Sequence, residues 1–251
     1  MLNDKFNKDV YLIDIHTHTI ASGHAYSTLG EMVAAAQRKQ LSIFGITEHT
    51  PKMPGTCHPV YFKNFGVVPR VYGSMRLLLG AELNILDYEG HIDLDEIYLK
   101  ELDLRIAGIH KLCYQDGTKS QNTDAFVGAM ENPWIQIISH PADGTASQVD
   151  FEKVVTTAKQ TGTILELNNS SLNPQRGKKL AKNYNTELLQ LCKRHDVPII
   201  VSSDAHHESL VAFFDYAKQL IHETGFPDEL IINRYPDLFI QLLKTAPETH
   251  H

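Results

Sequence analysis

Histidines 16, 18 and 24 fall within the stretch DIHTHTIASGH (14–24), directly after the apolar run VYLI. Side chains alternate along an extended strand, so His16 and His18 point to one face. Two such imidazoles repel when protonated and compete for hydrogen bonds when neutral, unless something binds both. A divalent metal is the natural partner, because neutral imidazole is its commonest nitrogen ligand. The theme recurs along the chain. Glu48 with His49, Glu82, His110, His140, Asn168 with Asn169, and Asp204 with His206 each close a short apolar run.

Those runs are VYLIDIH (10–16), SIFGITEH (42–49), RLLLGAELNI (76–85), LRIAGIH (104–110), IQIISH (135–140), TILELNN (163–169) and PIIVSSDAH (198–206). They are continuous and rich in β-branched residues, as strands buried on both faces are. Helical patterns lie between them. The first opens at Thr28 with a T-x-x-E capping box closed by Glu31 and carries Met32, Val33 and Ala36 on one face. DFEKVVTTAKQ (150–160) and ESLVAFFDYAKQLIHET (208–224) each run up to a glycine stop, and NTELLQLCKRHD (185–196) is a third clear helix. Residues 50–75, with four prolines and four aromatics, read as an irregular excursion over one mouth of the fold. The alternation predicts an α/β fold. If the seven strands are parallel and closed, all the strand-end side chains emerge at one C-terminal rim, where barrel enzymes assemble active sites.

Nine donors then converge: His16, His18, His24, His49, His110, His140 and His206, with Glu82 and Asp204. Zinc takes about four to five ligands and leaves a position open for catalysis. Nine donors overfill two ions, whereas three ions with Glu82 shared accommodate them. The opening stretch therefore serves two metals, His16 and His18 one of them and His24 another.

The pattern HTH…H, ITEH, GAE, GIH, SHP and SDAH resembles the polymerase and histidinol phosphatase (PHP) family, with spacing and flanks nearest its YcdX-type stand-alone phosphatases. The match runs from Tyr11 to His206 and fills every expected ligand position. The resemblance implies a distorted seven-stranded (β/α)7 barrel, similar to a TIM barrel, around a trinuclear zinc site. It implies that His16, His18, Glu82 and Asp204 hold one ion. Glu82 bridges to a second ion held by His110 and His140, and His24, His49 and His206 hold the third. Manganese or iron would suit the same nitrogen-rich donors. The resemblance also hints at a homotrimer.

Three divalent ions and two carboxylates leave a formal charge of about +4, which demands an anionic substrate. Metal-bound water has its pKa lowered to about 7, so a metal-bound hydroxide is available as nucleophile, with Glu82, Asp204 and His206 supporting it as ligands. The expected reaction is phosphomonoester hydrolysis by in-line attack, with a small phosphorylated substrate and no covalent phospho-enzyme. Three rivals stand beside it. A phosphodiesterase or exonuclease would use the same metals. An amidohydrolase would commonly place a lysine where Glu82 stands, and a non-catalytic metal module would close its coordination shells.

Supporting residues divide between functional and plain structural readings. Asp14 shares a face with His16 and either orients an imidazole or is a buried structural carboxylate. Glu48 alternates away from His49 and is expected not to ligate. Arg176, Lys178 and Lys179 reach a phosphate or are solvated surface charges. Asn168 and Asn169 bind substrate or close their strand as a turn, and His207 shuttles protons or is simply exposed. Cys113 reads as a buried small residue rather than a ligand.

The chain-wide composition sets the frame. Its 251 residues, 42% hydrophobic, suit one domain spanning 1–251. No apolar run approaches the ~20 residues of a membrane span, and MLNDKFNKDV lacks the apolar stretch of a signal peptide. Three scattered cysteines make no disulfide framework, so a cytoplasmic location is the default expectation. The net charge of −7, with no basic block, argues against a large nucleic-acid footprint.

Overall fold

A computed structural model describes residues 10–243. The seven apolar runs become seven strands, β1 (Ile13–Asp14), β2 (Ile43–His49), β4 (Met75–Asn84), β5 (Leu104–Gly108), β6 (Ile137–Ile138), β7 (Ile164–Asn168) and β8 (Ile199–Ser202). They pair in parallel in the order β1-β2-β4-β5-β6-β7-β8. A short β3 (Val71–Tyr72) pairs antiparallel with the start of β4 and lies outside this ring.

The ring closes between β8 and β1 by two devices. At the rim, Thr17 bridges Ala205 and the His18 N–H donates to the Ala205 carbonyl at 2.9 Å. Lower down, the fully buried Asn233 takes the place of a missing rung. Its amide donates to the Ile13 and Val201 carbonyls and accepts from the Val201 N–H, at 2.7–2.8 Å. The barrel is thus nearly closed by strand pairing and completed by one side chain.

Period-two alternation explains what fills it. Ile13, Ile43, Leu78, Leu104, Ile106, Ile137, Ile164 and Ile200 form the lower interior, sealed from below by Ile232 and by Phe239 of α8 (Pro236–Leu242). The same inward parity, continued upward, reaches His49 on β2, Glu82 on β4, Gly108 on β5, Glu166 on β7 and Ser202 on β8. Gly45 is required on this face because a Cβ there would meet the Ile15 oxygen at 2.7 Å. The outward-facing side chains, such as Phe44, Ile46, Leu77 and Leu79, pack beneath the helices.

The capping box of α1 (Leu29–Arg38) is present, with Thr28 and Glu31 satisfying each other's backbone N–H groups. The helix expected near 150–160 is α5 (Phe151–Thr161), stopped by Gly162 in the left-handed region, and α6 (Ala181–His195) begins four residues before its expected start. The helix expected over 208–224 is broken. Glu208–Leu210 form a 3-10 turn, Ala212 adopts φ 56°, and α7 covers only Asp215–Thr224. The break has a cause: the Ala212 N–H is drawn to the buried Asp14 carboxylate. A thirteen-residue helix, α4 (Lys119–Glu131), was not legible, because its polar Asn122 and Thr123 are buried and blur the apolar stripe. Residues 50–75 hold the single turn α2 (Val60–Lys63), and α3 (Glu96–Leu99) is another. Among the described residues, no helix is long and apolar enough to cross a membrane.

Candidate metal centre

The nine predicted donors come together at the C-terminal rim, five of them buried, three half-buried and His24 exposed. Two are aimed by unusual backbone. His140 and Asp204 leave β6 and β8 with φ 33° and 52°, in a left-handed region that disfavours such residues and recurs at functional sites.

Four donor atoms form a compact set: His16 Nε2, His18 Nε2, Glu82 Oε2 and Asp204 Oδ1. The distances are 3.1 Å between the two nitrogens, 3.2 and 3.4 Å from them to Glu82, and 3.7 and 3.5 Å from them to Asp204. Ligands bound to a tetrahedral zinc at about 2.0–2.1 Å stand roughly 3.3 Å apart, so the distances that involve the two nitrogens match the edges of one coordination sphere. The other Glu82 oxygen, Oε1, lies 3.1 Å from His110 Nε2 and 2.7 Å from His140 Nε2. One carboxylate therefore serves two donor groups. His24 and His206 face each other through their Nε2 atoms at 3.2 Å. His49 stacks on both His18 and His24, with Nδ1 3.1 Å from Glu82 Oε2 but outside hydrogen-bonding geometry. It belongs to two donor groups, one with His18 and His206 and one with Glu82 and His110, whereas His24 joins none of these close groups.

Tautomers follow from the partners behind the rings. The Ser22 hydroxyl gives its one proton to Glu48 Oε2, so it accepts from His18 Nδ1–H at 3.0 Å. His16 Nδ1 donates to Glu166 at 2.8 Å, His24 Nδ1 to the Ser22 carbonyl and His206 Nδ1 to the Asp204 carbonyl. In each ring the Nε2 lone pair is then the one that faces inward. Lone pairs 3.1 Å apart repel unless a cation joins them, and carboxylate-backed imidazoles of this kind are strong metal ligands.

Charge in the cluster tells the same story. Burial alone would lower the His16 imidazole, but Glu82, Glu166 and Asp204 hold it well above its usual value. His18, opposed by burial in the same way, is carried up to about 9 by Asp204 and Glu82. His49 is pushed well below the usual value and His206 down to about 4, first by burial and then by the positive His18. Burial would raise Glu82 and Asp204, yet the surrounding imidazoles keep both well below the carboxylate range. Two buried carboxylates thus recruit positive charge, which divalent ions supply while leaving the nitrogens neutral. The donor set fits metal.

Other expected residues occupy definite places. Asp14 accepts from Ser203 N–H, Ser203 O–H and Ala212 N–H, and burial lifts its carboxyl to about 6; it ties β1 to the loop after β8, the structural alternative. Glu48 is buried but stands behind Thr19 and Ser22, outside the donor groups. Asn168 is 1% exposed, and its amide bonds Glu166 and the Ser171 N–H. Asn169 accepts from the Ala217 N–H. His207 is exposed and caps the turn at Ser209. Arg176, Lys178 and Lys179 line an open cleft beside the centre. Cys113 is half-buried rather than buried, and belongs to no donor group.

Two residues escaped the sequence reading. Glu166, fully buried, holds His16 with one oxygen and the His140 backbone N–H with the other. Its signal was a lone charge amid the apolar run TILELNN, two residues before Asn168 and so on the inward face. Asp143, 4% exposed, lies 3.7 Å from His140 Nδ1 and pairs with Lys178.

The PHP domain family model matches residues 14–225. A probable phosphatase from Caldicellulosiruptor bescii is 43% identical over 92% of this chain and 95% of that protein. One from Clostridium novyi is 40% identical, covering 94% and 95%. Among solved structures, a histidinol phosphate phosphatase from Lactococcus lactis, complexed with zinc, L-histidinol and phosphate, superimposes with a TM-score of 0.56 at 18% identity, over 86% of this chain and 95% of that one. At that identity the likeness concerns the fold.

Proposed function

The chain belongs to the PHP domain family, and from that premise we propose that it is a metal-dependent phosphatase hydrolysing small phosphomonoesters at a trinuclear zinc centre. The observation that carries the reading is the set of inward Nε2 lone pairs and carboxylate oxygens spaced like the edges of a coordination sphere. The relatives named probable phosphatases point to the same chemistry.

His16, His18, Glu82 and Asp204 would hold one ion, Glu82 with His110 and His140 a second, and His24, His49 and His206 the third. Bound ions would supply Lewis-acid stabilisation of phosphoryl oxygens and lower the pKa of water to about 7. The chain's own contribution is orientation. Glu166 fixes the His16 tautomer, Ser22 with Glu48 fixes that of His18, and Glu82 couples two donor groups through one rigid carboxylate. Nitrogen-rich donors also admit manganese or iron.

Elemental analysis of protein purified without chelator, alongside hydrolysis of p-nitrophenyl phosphate and of its bis-p-nitrophenyl diester, tests the reading. Three metals per chain and preference for the monoester are expected. Glu82→Gln should remove at least two of the metals and lower turnover by on the order of a thousandfold. A metal-free wild-type protein, or faster cleavage of the diester, overturns it.

A further inference from the structure

Beside the metal centre lies an open cleft of about 1060 Å³ between the loops that follow β5, β6 and β7. Four cations line it, Lys111, Arg176, Lys178 and Lys179, against two carboxylates, Asp116 and Asp143. In a chain of net charge −7 this grouping runs against the global sign. Both carboxylates are already engaged. Asp143 pairs with Lys178 and accepts from Thr145, and Asp116 accepts from Asn122 Nδ2 and the Ser147 N–H. Among the described residues, no carboxylate pairs with Lys111, Arg176 or Lys179, and Asp116 is held only by neutral donors, so four cations against two carboxylates leave the cleft a net positive lining.

The cleft is joined to the centre at two points. Lys111 directly follows His110, and Asp143 lies 3.7 Å from His140 Nδ1 while also lining the cleft. The cationic loop is built rather than loose. Asn173 caps the turn Pro174–Arg176, Gly177 ends it at φ 69°, Lys178 is tethered to Asp143, and Leu180 packs over Gly144. The fixed turn sets where Arg176 and Lys179 leave the backbone, while their exposed side chains still bear the ordering cost of binding.

We propose that this cleft is a subsite for a second anionic group on the substrate, so that the preferred substrates are phosphomonoesters bearing a carboxylate or another phosphate a few bonds from the scissile one. The inference rests on the phosphatase reading for its first anchor: one phosphate at the metals, the distal anion among Lys111, Arg176 and Lys179. Neutral alcohol phosphates would engage only the metals.

Calorimetric binding to the zinc-loaded full chain at about 50 mM salt tests it, where screening of exposed charges is modest. The ligands are propylphosphonate, 3-phosphonopropionate and propane-1,3-bisphosphonate, with longer homologues to vary the span. At least one doubly anionic ligand should bind about tenfold more tightly than its alkyl counterpart, the sum of several small charge contacts. In the triple variant Lys111→Gln, Arg176→Gln, Lys179→Gln that ratio should fall to about twofold or less. Because the ratio is taken within each protein, a general loss of metal or stability does not mimic the result. Preference for the bisphosphonate or for the carboxylate identifies which anion the subsite takes. Equal affinities at every span, or a preference retained by the triple variant, overturn the proposal. So does tighter binding of a short single-stranded oligonucleotide, lost in the same variant, which would assign the cleft to a nucleic-acid backbone. Turnover of p-nitrophenyl phosphate by the same samples reports the phosphatase reading separately: turnover without any dianion preference removes the subsite alone.

Discussion

In His16, His18, His24 and His206 one nitrogen must carry a proton and one must not, and the group behind the ring decides which. Glu166 decides it for His16. Its Oε1 accepts the Nδ1 proton, while Oε2 is occupied by the His140 N–H and by Asn168. A glutamine here has one acceptor where the glutamate has two. Keeping the His140 N–H bond would turn its NH2 toward His16, and the ring would answer by moving its proton to Nε2, the atom that faces Glu82 and His18. Glu166→Gln should therefore weaken metal affinity by about 10- to 100-fold, as loss of such supporting contacts does, with turnover recovering as free zinc is raised. Activity measured across a buffered zinc series checks this. An unchanged zinc midpoint would mean that Glu166 serves the fold and not the ligand.

At the scale of elements, the barrel puts chemistry at its rim because each strand changes character along one face. Ile43 gives way to His49 on β2, Leu78 to Glu82 on β4, and Ile164 to Glu166 on β7. Close approach is part of the arrangement: a Cβ on Gly108 would come 2.2 Å from Ser139 Oγ and 2.9 Å from the His140 ring. The seam between β1 and β8 depends instead on Asn233. Asn233→Ala leaves the Val201 N–H and the Val201 and Ile13 carbonyls buried without their partner, which should destabilise the protein by about 3 kcal/mol. Urea unfolding measures it, and a change below about 1 kcal/mol would show that the seam closes without that side chain. These examples also mark what could be read in advance. Strand ends were legible because a costly polar residue after an apolar run needs a reason, and the nine donors and the parallel order followed. Asn233 sits in INRYP, indistinguishable from a surface turn until the fold brings it between two strands. Helix α4 hid behind its buried polar residues, and the break at Ala212 depends on Asp14, 198 residues away in sequence. Local patterns carry the elements and the candidate donors, whereas contacts remote in sequence carry the closure and the residues behind the donors.

For the molecule as a whole, the buried carboxylates Glu82, Asp204 and Glu166 must be neutralised for the barrel to be stable, and protons and metal ions compete to do so. Without metal, protons on His16 and His18 serve. Both imidazoles have folded pKa values raised above the ordinary 6.5, His18 to about 9. A raised histidine contributes stability that is fully present below the unfolded pKa and is lost as pH climbs through the folded one. The chelated protein should therefore lose stability between pH 6.5 and about 9. His49 and His206, with lowered values, act only below 6.5 and do not disturb this window. With metal bound, the ligating nitrogens carry no proton in the folded state and, above pH 6.5, little in the unfolded state, so this contribution becomes nearly flat with pH. Ions held at a thousandfold over their dissociation constant add about 4 kcal/mol per site. Thermal melts of zinc-loaded and chelated protein across pH 6.5 to 9 should accordingly diverge, the gap in Tm widening as pH rises. A gap that stays constant or narrows would mean that the rim cluster is not where metal and proton exchange for one another.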